Sequence, residues 1–158
     1  PAELEKQHGK ALEAIKEQFS IALYTTDVEL VLSEAEILSL HIPGSPRTRN
    51  FMDERKMACM PPTGLLINTS RGNVLDEEAF YDAVVSDELA GGALDVFREE
   101  PYVPPHPEKD LRTLENVILT PHVGSNTFQA NTRMAKSSLE NVRAFLRGQL
   151  QRVSRVEL

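Results

Sequence analysis

Short apolar runs alternate along this chain with longer stretches in which apolar residues return every three or four positions. The first pattern suits buried strands and the second suits helices that bury one stripe. "FSIALYTT", "EILSLHIP", "TGLLINTS", "AGGALDVF" and "NVILT" have the length and the β-branched or aromatic content of strands. Residues 2–18 are dense in good helix formers, although Gly9 weakens the middle of that stretch. Asp27 is placed to cap a second helix, "VELVLSEA", and "DERKMACM" forms a short third. Asp76 with the acidic pair Glu77 and Glu78 opens a further helix, "EEAFYDAVVSDEL", where negative charge suits the N-terminal dipole. A long helix from about 126 to 148 and a polar tail complete the chain. The loops are marked by Pro43 and Pro46 after the second strand, and by four prolines between 101 and 107.

Strands that alternate with helices predict an α/β fold built on a parallel, Rossmann-like, doubly wound sheet. In such sheets ligands gather at the carboxyl ends of the strands. Four predicted ends carry polar or special residues: His41-Ile42-Pro43, Ser70-Arg71-Gly72, Asp95, and Pro121-His122.

Composition narrows the partners. The 158 residues suffice for one domain with a real core, and the 41% hydrophobic content is too high for a disordered chain. A formal charge of -7 argues against nucleic acid or an anionic membrane as the main partner. No run approaches the roughly 20 apolar residues of a membrane span. The single cysteine, Cys59, rules out an internal disulfide and points to a reducing, cytoplasmic setting. Its neighbours in "KMACMPPTG" read as a helix end packed under a loop, so Cys59 is expected to be structural. No metal site is expected.

Three residues at strand ends carry candidate chemistry. An arginine in a turn is ordinarily just solvated, but Arg71 follows the buried run "LLINTS" directly, and Gly72 beside it allows close approach of a ligand. Its planar fork would grip a carboxylate with two parallel hydrogen bonds, which a lysine cannot reproduce. His122 follows "ILTP" and precedes Gly124-Ser125. A histidine there is often only a capping group, yet no side chain is better poised to give and recover a proton near neutral pH. Glu100, in "FREEP", would favour the imidazolium and orient its ring if placed against His122. An anion clamp, an acid/base and its orienter would then converge from consecutive loops. His41 is read as a shape and hydrogen-bonding residue, His106 as solvated, and His8 has no assigned partner.

These segments also carry a resemblance. "LLINTSRGNVLDEEAF", "GGALDVFREEP" and "NVILTPHVGS", in this order, resemble the D-isomer-specific 2-hydroxyacid dehydrogenase family. "EILSLHIPGSPRTRNF" resembles the segment just upstream, where a His-x-Pro turn lies beside the adenosine end of the cofactor. The resemblance runs from about Asp27 to Arg147, and "EEPYVPP" is closer to the glyoxylate and hydroxypyruvate reductase branch than to the lactate branch. Formate dehydrogenases share the scaffold but usually carry glutamine where Glu100 stands. The resemblance implies that Arg71 binds the 2-keto acid carboxylate and polarises its carbonyl. It implies that His122 transfers the proton, and that Glu100 pairs with His122. A nicotinamide cofactor, NAD or NADP, would supply the hydride. Asp95 matches the residue that hydrogen-bonds the nicotinamide carboxamide. His41, Pro43, Thr48, Thr69, Ser70, Gly124 and Ser125 match cofactor-lining positions, joined by Arg71 and His122.

The eight glycines, at 9, 44, 64, 72, 91, 92, 124 and 148, make no G-x-G-x-x-G, the turn on which a dinucleotide pyrophosphate sits. The acidic residue that selects NAD over NADP is missing as well. With a start at Pro1, the expectation is the C-terminal portion of a cofactor domain over residues 1–125, followed over 126–158 by a helix and tail returning toward a substrate domain. If "SIALYTT" is the third strand and "EILSLHIP" the fourth of order 3-2-1-4-5-6, their slots lie roughly 14 Å apart. Such a chain alone is expected to be poorly stable, prone to associate and not competent for turnover. The complete protein is expected to be a homodimer acting on a small 2-keto or 2-hydroxy acid. Two other readings are an NADH-sensing co-repressor-like module, whose peptide groove would lie in the other domain, and an inactive structural fragment.

Overall fold

Aspartates start three of the described helices, two of them, at Asp27 and Asp76, as the sequence suggests. In the computed structural model, which describes residues 13–154, Asp27 accepts the Leu30 N–H and begins α1 (Val28–Glu34). Asp53 accepts the Lys56 N–H and begins the single turn α2 (Glu54–Met57). Asp76 accepts the Ala79 N–H and begins α3 (Glu77–Val85). Each satisfies a backbone donor that the first helical turn leaves unpaired. Residues 13–18 are helical, while the remainder of the predicted N-terminal helix, with His8 and Gly9, lies outside the described residues.

The strands are β1 (Ile37–Leu40), β2 (Leu65–Asn68), β3 (Gly91–Leu94) and β4 (Val117–Leu119). They pair in chain order as one parallel sheet, β1-β2-β3-β4. The α/β, Rossmann-like class expected from the alternation is therefore the class observed. Register places Leu66 beside Leu38 and Gly92, and Asn68 beside Leu40 and Leu94. Because successive side chains alternate faces, these residues share one face of the sheet. That face holds the core, in which Leu32, Leu40, Met57, Leu66, Phe80 and Leu94 are all buried. Phe80 closes it: a methyl added at Gly92 would stand 2.9 Å from the tip of the Phe80 ring. The opposite face carries Ile37, Leu65 and Ile118, which are 63%, 38% and 68% exposed.

Two expectations need correction. "FSIALYTT" forms no strand, and residues 21–25 have no regular structure. Its strand propensity had nothing to pair with among the described residues, and Ile21 and Leu23 stay largely exposed. The predicted two-strand gap therefore does not arise, and among the described residues β1 is an edge of the sheet. The helix predicted over 77–89 stops at Val85, because Asp87 turns into the left-handed region at φ 58 and returns Leu89 to the core.

Cys59 is half-buried against the core, with its Sγ 3.4 Å from the Arg55 carbonyl. His106 lies 3.4 Å from the Glu78 carboxylate, which also accepts from Lys109.

The chain divides into two compact units after Leu119. In the second, Thr127 accepts the Ala130 N–H and starts the 19-residue α4 (Phe128–Leu146). Gly148, at φ 68, follows its end. Among the described residues no helix is long and apolar enough to cross a membrane.

Candidate active site

The carboxyl ends of β1 and β2 open into a cleft of about 490 Å3 lined by His41, Ile42, Pro43, Gly44, Thr69, Ser70 and Arg71. Parallel strands end in a row of backbone groups aimed the same way, so this rim is where an α/β sheet holds a ligand. Arg71 is exposed there on extended backbone at φ -147. One terminal nitrogen of its fork donates to the Ser70 carbonyl at 2.6 Å. Ser39 and the Nε2 of His41 are 2.8 Å apart, which fixes the His41 ring at the cleft edge.

A buried amide builds the turn that presents Arg71. Asn68, at 0% exposure, accepts from the Ser70 backbone N–H at 3.1 Å and from its hydroxyl at 2.8 Å. Its own amide donates to the Arg71 carbonyl at 3.1 Å. The side chain thus bridges both limbs of residues 68–71, an Asx-type turn made rigid by burial. The only sequence trace of this was an asparagine two residues before a serine.

The loop after β1 is tied to the segment after Arg71 by a short parallel ladder. Asn50 N–H donates to the Asn73 carbonyl, Met52 N–H to that of Val74, and Asp76 N–H to that of Met52. Thr48, expected to line the cofactor, turns its hydroxyl onto its own loop. It donates to the Pro43 carbonyl at 2.6 Å and accepts from the Ser45 N–H at 2.9 Å. It is not among the residues that line the cleft.

The loop after β3 begins at half-buried Asp95, whose N–H donates to the Asn68 carbonyl. Glu100, across the turn, accepts the Phe97 N–H at 3.1 Å. This loop meets the Arg71 turn at Gly72, where a Cβ would fall 1.8 Å from the Phe97 carbonyl carbon. Behind it lies Glu77, 4% exposed, whose carboxylate accepts the Arg98 N–H. Arg98 also reaches Asn50 with its guanidinium at 2.9 Å, and Asn50 donates to Asp76. Glu77 reads in the sequence as one more acidic residue of a helix start, so nothing there singled it out.

Burial raises the Glu77 carboxyl above its ordinary 4.5, against the pull of the Arg98 N–H and guanidinium, with Asp76 adding to the rise. The folded state therefore binds this proton more tightly than the unfolded chain does. Stability should fall as pH rises from about 4.5 through the elevated folded value. Urea midpoints measured across that range should show a slope that Glu77→Gln flattens.

His122 belongs to the second unit. Its backbone sits at φ 54, a region that few non-glycine residues adopt, and its N–H donates to the Thr120 carbonyl at 3.0 Å. Exposed Gly124 and Ser125 follow it, and Ser125 accepts the Thr127 N–H at the start of α4. The first unit thus brings together His41, Pro43, Thr69, Ser70 and Arg71 in one cleft, with Asp95 and Glu100 on the neighbouring loop.

A second depression, about 630 Å3, is lined by acidic residues that include Asp53, Asp76, Glu78 and Asp82. These four carboxylates already cap helices or bind Lys56 and Lys109.

Residues 7–124 match the family described as D-isomer specific 2-hydroxyacid dehydrogenase, NAD binding domain. A D-3-phosphoglycerate dehydrogenase of Synechocystis is 43% identical over 122 residues, which are 77% of this chain and 21% of that protein. A glyoxylate reductase of Thermofilum pendens is 40% identical over 125 residues, 79% of this chain and 36% of the relative. Among solved structures, a D-lactate dehydrogenase of Aquifex aeolicus with NAD and lactic acid superimposes with a TM-score of 0.75 at 30% identity. That likeness covers 83% of this chain and 43% of the other. The chain thus spans less than half the length of each of these proteins.

Proposed function

Since the chain belongs to the D-isomer specific 2-hydroxyacid dehydrogenase family, as its NAD binding domain, we propose that the protein carrying it interconverts a small 2-keto acid and its 2-hydroxy acid. Glyoxylate or hydroxypyruvate is the substrate class in view. The bound nicotinamide supplies or accepts the hydride. Everything else falls to side chains.

The observation that supports this most is Arg71, set by a buried asparagine at the rim of a cleft whose walls carry hydroxyl and backbone groups. Those walls suit the ribose and amide portions of a dinucleotide, and His41, Pro43, Thr69 and Ser70 would hold it. Asp95 would take the carboxamide. Arg71 would bind the substrate carboxylate through two N–H groups and turn its carbonyl toward reduction. His122 would give its proton to the carbonyl oxygen during reduction and recover it during oxidation. Glu100 would hold the imidazole in its protonated form.

Arg71→Lys tests the assignment in the complete polypeptide. A lysine keeps the charge and loses the planar fork, so KM for glyoxylate should rise by roughly tenfold or more, with NADH binding little changed. Steady-state kinetics beside an NADH fluorescence titration would check it. Unchanged KM would remove Arg71 from the role.

A further inference from the structure

Asp76 already caps α3 through the Ala79 N–H, and Glu78 is engaged with Lys109. Glu77, between them, does neither. It turns inward, to 4% exposure, and crosses 21 positions of sequence to accept one backbone N–H, that of Arg98.

That N–H belongs to the peptide that joins Phe97 to Arg98, and the same peptide is held from its other side. Its carbonyl lies against Gly72, with no room for even a methyl group between them. One peptide unit is therefore clamped between the Arg71 turn and the first turn of α3. The next N–H back along the chain, that of Phe97, is the one Glu100 accepts. The Phe97 N–H lies in the preceding peptide, so holding the Phe97–Arg98 peptide restrains the direction of that donor, and through it the Glu100 carboxylate. A third restraint comes from the Arg98 guanidinium on Asn50, in the loop tied to the Arg71 segment by the ladder.

We propose that Glu77 is a positioning residue: by accepting the Arg98 N–H it holds the loop that aims Glu100, and sets Glu100 in register with Arg71. This rests on the role given to Glu100 above. A buried carboxyl group is a poor choice for mere filling, because its burial costs stability that an apolar side chain of the same size would not. A structural filler would be replaceable by leucine; an acceptor would not.

The test uses the complete polypeptide with NADH and glyoxylate as probes, and three variants. Glu77→Gln keeps an acceptor oxygen at the same reach, Glu77→Leu keeps the volume, and Glu77→Asp keeps the charge but falls short by one methylene. Leu and Asp variants should lose roughly tenfold to hundredfold in kcat with NADH affinity within about twofold of wild type. The Gln variant should stay within about threefold in kcat. Hydrogen exchange at the Phe97 and Arg98 amides should quicken about tenfold or more in the Leu and Asp variants alone. Should Leu fail to fold, Asp gives the same reading. Wild-type kcat in a folded Leu or Asp variant would overturn the proposal, as would a Gln variant impaired like Leu. If the wild-type protein reduces no glyoxylate, the substrate reading fails. Exchange then decides the clamp alone: faster exchange upholds it and unchanged exchange overturns it.

Discussion

Gly72→Ala is expected to destabilise the sheet-bearing unit by about 3 kcal/mol or more, at the top of the range for overpacking. The added carbon would lie 1.8 Å from the Phe97 carbonyl carbon, 1.9 Å from its oxygen and 2.4 Å from the Arg98 nitrogen. All three are backbone atoms, so no rotamer change relieves the clash. Either the Arg71 turn or the loop bearing Glu100 must move, and both are anchored, one by Asn68 and the other by Glu77. Gly148→Ala separates this effect from backbone conformation. Gly148 sits at φ 68 with nothing within 4 Å of a new Cβ, so only the left-handed strain, roughly 1 kcal/mol, applies. Denaturant midpoints of the two variants should differ accordingly. Equal losses would mean that the Gly72 contact yields far more easily than its geometry implies.

His122→Asn in the complete protein should lower kcat by about 10²–10⁴-fold and leave NADH affinity within a few-fold, because the variant loses only the proton carrier. The backbone chooses the substitution. His122 lies at φ 54, and asparagine enters that region more readily than alanine does. The turn therefore survives, and the loss can be assigned to the imidazole. The solvent kinetic isotope effect and single-turnover rates with NADH and glyoxylate would report the missing proton transfer. Turnover at the wild-type level would sink the acid/base assignment.

Much of this architecture is legible in the residues themselves. Four of the five expected strands formed, since "EILSLHIP", "TGLLINTS", "AGGALDVF" and "NVILT" each found a parallel neighbour. The fifth, "FSIALYTT", has the same local propensity and failed, because a strand is a pairing and not a property of one segment. Helix starts were readable from Asp27 and Asp76, where a short acceptor side chain meets free N–H groups. The end of α3 was not. Asp87 enters the left-handed region without the glycine that would have flagged it. At the site, Arg71 was legible because an exposed cation directly after a buried run is conspicuous. Thr48 was read as a cofactor-lining residue, and which way its hydroxyl faces depends on the Pro43 carbonyl nearby, which spacing cannot show. Asn68 and Glu77 escaped notice for the converse reason. Their importance lies in burial and in partners brought near only by folding, and their residue types are ordinary for a strand end and a helix start.

Pairing in chain order also bears on how the domain assembles. Registered partners on neighbouring strands are about 25 to 28 residues apart in all three pairings. Closing such loops costs nearly the same entropy each time, since that cost grows only with the logarithm of length. No strand pairing is favoured by range, and none has to thread past another. A chain that emerges N-terminus first meets, for every strand after β1, a docking partner already synthesised.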